Sequence, residues 1–193
     1  MKVPVLLLMC FSTTLTFSQS KKFTFQVGSD YSLPRKSEDL SFMGNNKTGI
    51  VNLSLKKDEL FVSRFDPVSL NLTNEQTIVL PERTKNFNSE QVIDFGGNYF
   101  WLHSDWDKDA EKELLYYDII DVANGKLAST NTKIIETTKL SGSLVTTGFY
   151  RAKTVGKYQF DFDADTTKLL VSYRLTPEEK NDKKNYDKIV EFR

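Results

Sequence analysis

Two rows of alternating carboxylates are the first candidates for chemistry in this chain. They are Asp161, Asp163 and Asp165 in "YQFDFDADTTKLLVSY", and Asp105, Asp107 and Asp109 in "SDWDKDAEKE". Helix–loop–helix calcium loops place oxygen ligands at alternate positions, with a glycine at the sixth and a bidentate acid at the twelfth. Counted from Asp161 those two places hold Thr166 and Ser172; counted from Asp105 they hold Ala110 and Tyr116. Lys108 and Lys112 would also compete with any cation at the second row. Both rows therefore read as solvated turns, and neither a metal nor a cofactor is expected. In the first row, strand alternation sends Phe160 and Phe162 toward the core and the aspartates toward solvent. Asp165 is expected to close the turn by accepting local backbone amides.

His103 is the single histidine. A Ser-His-Asp mechanism needs its three groups to meet in space, and the consecutive "HSD" of a strand points them apart. Zinc would want several His or Cys ligands. The expectation is a half-exposed strand histidine and no catalytic residue, since no pair stands out among the 26 acids. Aromatic side chains offer a different chemistry. Tyr99, Trp101 and His103 fall on one face of a strand, Phe100 and Leu102 on the other, and Trp106 follows in an expected loop. Flat amphipathic rings stack on sugars and grip peptides, so Tyr99, Trp101 and Trp106 are the candidate ligand-stacking residues. Packing between neighbouring units is the competing use of the same rings.

Compartment and bulk properties narrow the classes. The chain has 193 residues, is 39% hydrophobic and 27% charged, and carries no formal net charge. Nucleic acid or an anionic membrane would favour an excess of Lys and Arg, so neither is expected as a partner. The start, "MKVPVLLLMCFSTTLTFSQS", has a positive end, a short apolar run and a small-residue exit. It reads as a signal peptide over residues 1–18, cut after Ser18, of the kind seen in Gram-negative bacteria. Its apolar run is too short to span a bilayer. Residues 19–193 then form the exported domain, bound for the periplasm, the cell surface or the medium. The lone Cys10 lies in the leader, and Met9 before it is not the small residue that lipidation requires. The mature domain has no cysteine and must be held by burial and strand ladders.

Those ladders are legible as short β-branched and aromatic runs between Gly, Asn, Asp and Pro, with no stretch of helical period. A first unit holds "GIVNLSL", "ELFVSRFD" and "QTIVLP". A second holds "EQVIDF", "YFWLHS", "ELLYYDIID" and "TKIIE", and a third "KYQFDF", "KLLVSY" and "YDKIVEF". Two internal alignments relate them. "RFDPVSLNLTNEQTIVL" parallels "DIIDVANGKLASTNTKIIE", and "FGGNYFWLHS" parallels "FDADTTKLLVSY". The polar "LSGSLVTTGFYRAKTVG" before the third unit reads as a rim loop. The fold class expected is all-β, with antiparallel four-stranded meanders stacked as propeller-like blades.

The run "FDFDADTTKLLVSYRL" is similar to the turn signature of TolB-type and other WD-like propeller blades. There an aromatic strand, an Asp-containing turn and a strand ending in Ser follow one another. The wider sequence from "GIVNLSLKKDELFVSRFDP" onward resembles the N-terminal part of secreted propeller-like proteins of Gram-negative bacteria. The resemblance implies about three blade units, the last lacking its outer strand after "YDKIVEFR", and hence the N-terminal piece of a longer propeller. It also implies a non-enzymatic binding or scaffold module for a protein, peptide or glycan. The alternative is part of a carbohydrate- or peptide-processing enzyme whose catalytic residues lie outside this chain.

Overall fold

Every described run of β-branched and aromatic residues forms a strand, because alternation leaves each of them one apolar side to bury. The computed structural model describes residues 26–45, 48–147, 151–165, 167–179, 181–182, 184 and 186–193. The expected leader over 1–18, Cys10 within it, and Thr166 of the aspartate turn lie outside the described residues.

The first sheet is a four-stranded antiparallel meander of β1 (Glu38–Asn45), β2 (Gly49–Lys56), β3 (Glu59–Phe65) and β4 (Leu72–Val79). The second has the same order in β5 (Asn88–Phe95), β6 (Asn98–Asp107), β7 (Lys112–Asp121) and β8 (Lys126–Thr137). A hairpin follows, β9 (Ser143–Thr147) with β10 (Arg151–Val155). The third sheet has three strands, β11 (Tyr158–Phe162), β12 (Leu169–Arg174) and β13 (Asp187–Phe192). No described residue is helical. Gly96 and Gly97, both at positive φ (60° and 74°), make the tight link from β5 to β6 that an L-residue pair would strain.

Two elements differ from the sequence reading. β1 was not anticipated, because "EDLSFMGN" is mostly polar; it is an edge strand with few buried positions. The "LSGSLVTTGFYRAKTVG" segment contains the β9–β10 hairpin instead of a rim loop, since register with a partner strand matters more there than apolar content.

Burial places the second sheet in the middle. Val51, Leu53, Leu60 and Val62 of the first sheet pack against Val92, Tyr99, Trp101 and Ile120 of the second. On the opposite side Ile93, Leu102, Leu115 and Ile135 pack against Tyr158, Leu169 and Val171 of the third sheet. The two faces of β6 are those that alternation predicts.

The first and second sheets also correspond in detail. Each has a register shift in its first strand pair, between Asp39 and Ser41 in one and Ser89 and Gln91 in the other. The residue before each shift accepts a side-chain hydrogen bond from the next strand. Asn52 Nδ2 donates to Asp39 Oδ1 (2.8 Å), and Trp101 Nε1 to Ser89 Oγ (2.9 Å). β3 and β7 both run into an aspartate, Asp66 and Asp121, whose carboxylate accepts a backbone N–H of the following turn. By the same register, Val51 and Leu53 match Phe100 and Leu102. The face that the first sheet turns to the second thus corresponds to the face that the second turns to the third. A two-sheet sandwich would instead bring like faces together.

Truncating Trp101 removes the largest ring of the first interface. Trp101→Ala is expected to cost about 3–5 kcal/mol in urea unfolding. Val79→Ala, at a position 78% exposed, should stay within about 0.5 kcal/mol. Equal midpoints for the two variants would contradict the stacking described.

Candidate functional site

Trp106 belongs to β6 and not to a loop as expected. The ladder continues through the polar "DWD", pairing Asp105 with Leu114, Trp106 with Glu113 and Asp107 with Lys112. Trp106 shares parity with Leu102 and Ser104, which directs it to the third-sheet side. There it lines an open groove of about 860 Å³ together with Glu111, Lys139, Pro177, Glu178 and Tyr186. Backbone bonds fix the groove's floor. Thr176 N–H donates to the Lys139 carbonyl (2.9 Å), Leu175 N–H to the Tyr186 carbonyl (3.0 Å) and Ser141 N–H to the Arg174 carbonyl (2.8 Å). Leu140 and Leu175 form an isolated bridge beside them.

Among the described residues, the groove's lining carries four carboxylates, Glu111, Glu178, Glu179 and Asp182, against one ammonium, Lys139. Tyr186 Oη donates to Asp182 Oδ2 (2.5 Å) and Lys184 N–H to Asp182 Oδ1 (2.9 Å). These bonds hold the Asp182 carboxyl below the usual carboxylate range, and the first of them raises the Tyr186 phenol. The phenol ring is thereby pinned beside an anion. Such a groove attracts cations and offers them aromatic faces.

Tyr99 and Trp101 do not reach it. They are 1% and 0% exposed in the core between the first two sheets. Tyr99 Oη sits 2.5 Å from Thr48 Oγ1 and accepts from Asn45 Nδ2 (3.2 Å). Trp101 has no face to offer a ligand, Tyr99 touches only the edge of a pocket of about 380 Å³ at the other end of the sheets, and Trp106 alone of the three lines the larger groove.

His103 is 2% exposed, not half-exposed. The difference comes from the β4–β5 connection, whose Phe87 ring lies 5.3 Å from the imidazole, and from Tyr116 of β7, stacked on it at 5.6 Å. Its Nε2 donates to Asp118 Oδ1 (3.2 Å), because a carboxylate can only accept. Asp118 also accepts Arg83 Nη2 (3.0 Å) and the Asn131 N–H (2.6 Å). Burial pushes the Asp118 carboxyl up, but the bonds from His103, Asn131 and Arg83 outweigh it and hold the group below its ordinary range. Arg83 lies 4.9 Å from the Phe87 centroid and 5.0 Å from that of Trp101. A pocket of about 240 Å³ beside them is lined by His103, Arg83, Asp105 and Tyr116.

A second buried cluster, unforeseen in the sequence, lies on the other face of the second sheet. Lys157 Nζ pairs with Glu113, donates to Ser104 Oγ (2.7 Å) and lies 3.6 Å from Glu90 Oε1. Ser104 Oγ and Asn88 Nδ2 both donate to Glu90 Oε1 (2.5 and 2.6 Å). The register shift at this point of β5 brings Glu90 onto the Ser104 side. Burial raises the Glu113 carboxyl more than its bond to Lys157 lowers it. An Asp in the middle of "LLYYDII" was the one signal for the first cluster. The second had none, because its members are scattered along the chain.

The aspartate rows serve turns. Asp163 accepts the Thr167 and Lys168 N–H groups (2.7 and 2.9 Å) just past Phe162, where β11 stops. Asp107 accepts the Asp109 and Ala110 N–H groups (2.9 and 3.0 Å). Among the described residues, no group of three or more His, Cys, Asp or Glu is placed to hold a metal ion. No family profile matches the chain, and no curated protein or solved structure is significantly similar to it.

The two clusters give opposite pH responses. A carboxyl raised in the folded state stabilises below its unfolded pKa of about 4.3, and that contribution is lost as pH rises through the folded value. Glu113 is of this kind. A lowered carboxyl, such as Asp118, contributes above its unfolded pKa of about 3.9 and loses that contribution as pH falls through the folded value. Urea midpoints taken from about pH 7 to 5 should rise for the wild type and rise less for Glu113→Gln. Below about pH 4 the wild type should weaken more steeply than Asp118→Asn. Parallel profiles for a variant and the wild type would rule out the corresponding assignment.

Proposed function

We propose that the chain is an exported binding module of the propeller type, in which the three sheets are successive blades. In this reading the Trp106 groove takes up an extended, Lys- or Arg-bearing segment of a partner protein. The groove is the observation that carries the function: Trp106 and Tyr186 line it with an excess of carboxylates among its described residues. Aromatic faces next to anions favour ammonium and guanidinium groups over neutral ligands. The blade reading is supported by the corresponding register shifts and by the common facing direction of stacked meanders. It is also supported by the resemblance of "FDFDADTTKLLVSYRL" to TolB-type and WD-like blade turns. Propellers bind at surfaces built from connections between strands and blades, and the groove draws on the β6–β7 turn, the segment after β8 and the β12–β13 connection. Export rests on the leader-like start of the sequence.

Fluorescence tests the groove directly, because the chain has two tryptophans and one of them, Trp101, is sealed from solvent. A short alternating Lys-Thr peptide should shift the emission saturably, and added salt should weaken the effect. Trp106→Ala should lower the affinity about tenfold, or about 1.4 kcal/mol. Equal binding of a Glu-Thr peptide or a neutral oligosaccharide would overturn the proposal, as would the absence of any saturable change.

A further inference from the structure

The buried cations of this fold are matched to anions: Arg83 to Asp118, and Lys157 to Glu113. Arg64 is different. It lies on β3 with the parity of Leu60 and Val62, which turns it toward the second sheet, and it is half-buried. Among the described residues its guanidinium has no hydrogen bond and no ion pair. A guanidinium carries five donors in a fixed fork, and partial burial removes part of the water that would otherwise satisfy them.

Arg64 lines a pocket of about 380 Å³ between the first two sheets, at the end opposite the Trp106 groove. Thr48, Gly97, Asn98 and Asn124 line it with Arg64, bringing together the β1–β2, β5–β6 and β7–β8 turns. Asp121 is the single acid of that lining, and it is already engaged. Its carboxylate accepts Asn124 N–H (3.1 Å) and Asn124 Nδ2 (2.8 Å), and these bonds hold it below the usual range. The pocket therefore presents an uncommitted planar cation with the amides of Asn98 and Asn124 beside it and an apolar wall that includes Tyr99, Ile120 and Val122.

We infer that this pocket binds a small hydroxylated carboxylate of the uronic-acid type. The guanidinium fork matches a planar carboxylate with two parallel hydrogen bonds, which a tetrahedral anion or a lone hydroxyl matches less well. The Asn98 amide both donates and accepts and the Asn124 carbonyl accepts, which suits the hydroxyls of a sugar ring, and the apolar wall suits its C–H face; Thr48 Oγ1 is already held by Asn45 and Tyr99. The site is separate from the Trp106 groove and stands without it.

Amide NMR on the mature chain tests this with glucuronate as the probe. Saturable shifts are expected at Gly97, Asn98, Ala123 and Asn124, absent with glucose and weaker with acetate. Arg64→Gln should raise the apparent Kd at least tenfold while leaving the urea midpoint unchanged, since no partner is lost. Trp106→Ala should leave the titration unaltered. The inference fails if glucuronate gives no saturable shift, if glucose moves the same amides, if phosphate binds more tightly than glucuronate, or if Arg64→Gln binds as well as the wild type. Should Arg64→Gln misfold, the comparison of glucuronate, glucose and phosphate on the wild type decides alone.

Discussion

The second sheet has apolar side chains on both faces, and everything else in the fold answers to that. A sheet of this kind loses solvation on two sides and can exist only between two others. Trp101, Tyr99 and Ile120 require the first sheet, and Leu102, Leu115 and Ile135 require the third. Each polar group carried into these interfaces must then find a partner there, because water is excluded.

The two ionic clusters meet that demand, one on each side. Asp118 is satisfied by a histidine of its own sheet, an arginine from the β4–β5 connection and a backbone amide. Glu90 and Glu113 are satisfied by a lysine that enters from the third-sheet side. Such groups add little net stability over apolar residues of the same shape, but losing one partner strands the other at several kcal/mol. Their effect is on register. An apolar face tolerates sliding by a rung, whereas Lys157 reaches Glu113, Ser104 and Glu90 in only one alignment of the sheets.

Much of the second and third sheets was legible in the sequence because their strands alternate cleanly between turn residues. The two faces of β6 followed from parity alone. β1 escaped notice because an edge strand is specified by its neighbour's ladder more than by its own composition. The alignment of "FGGNYFWLHS" with "FDADTTKLLVSY" equated Phe95 with Phe162. The two rings in fact meet from opposite sheets, 5.9 Å apart and stacked, and their turns differ in length, since Phe95 pairs with Asn98 but Phe162 with Leu169. The other alignment, through Asp66 and Asp121, matches equivalent turn geometry. The site was harder to read. Trp106 was singled out for its chemistry, but its groove also depends on Tyr186, Glu178 and Lys139, which are distant in sequence. Arg64 looked like any strand arginine until its lack of an acceptor could be seen.

Each sheet is one continuous stretch of chain, so most strand pairs form between immediate neighbours. Local pairing of this kind lets the chain assemble in order as it emerges. Lys157 lies 44 residues beyond Glu113. Without it, Glu90 and Glu113 would be two like charges with no counter-ion on that side of the second sheet. The counter-ion of this cluster is thus the last of its members in chain order. Before it is made, two unpaired carboxylates lie on the side of the second sheet that the third will cover, and a charged face of that kind resists premature apolar contact.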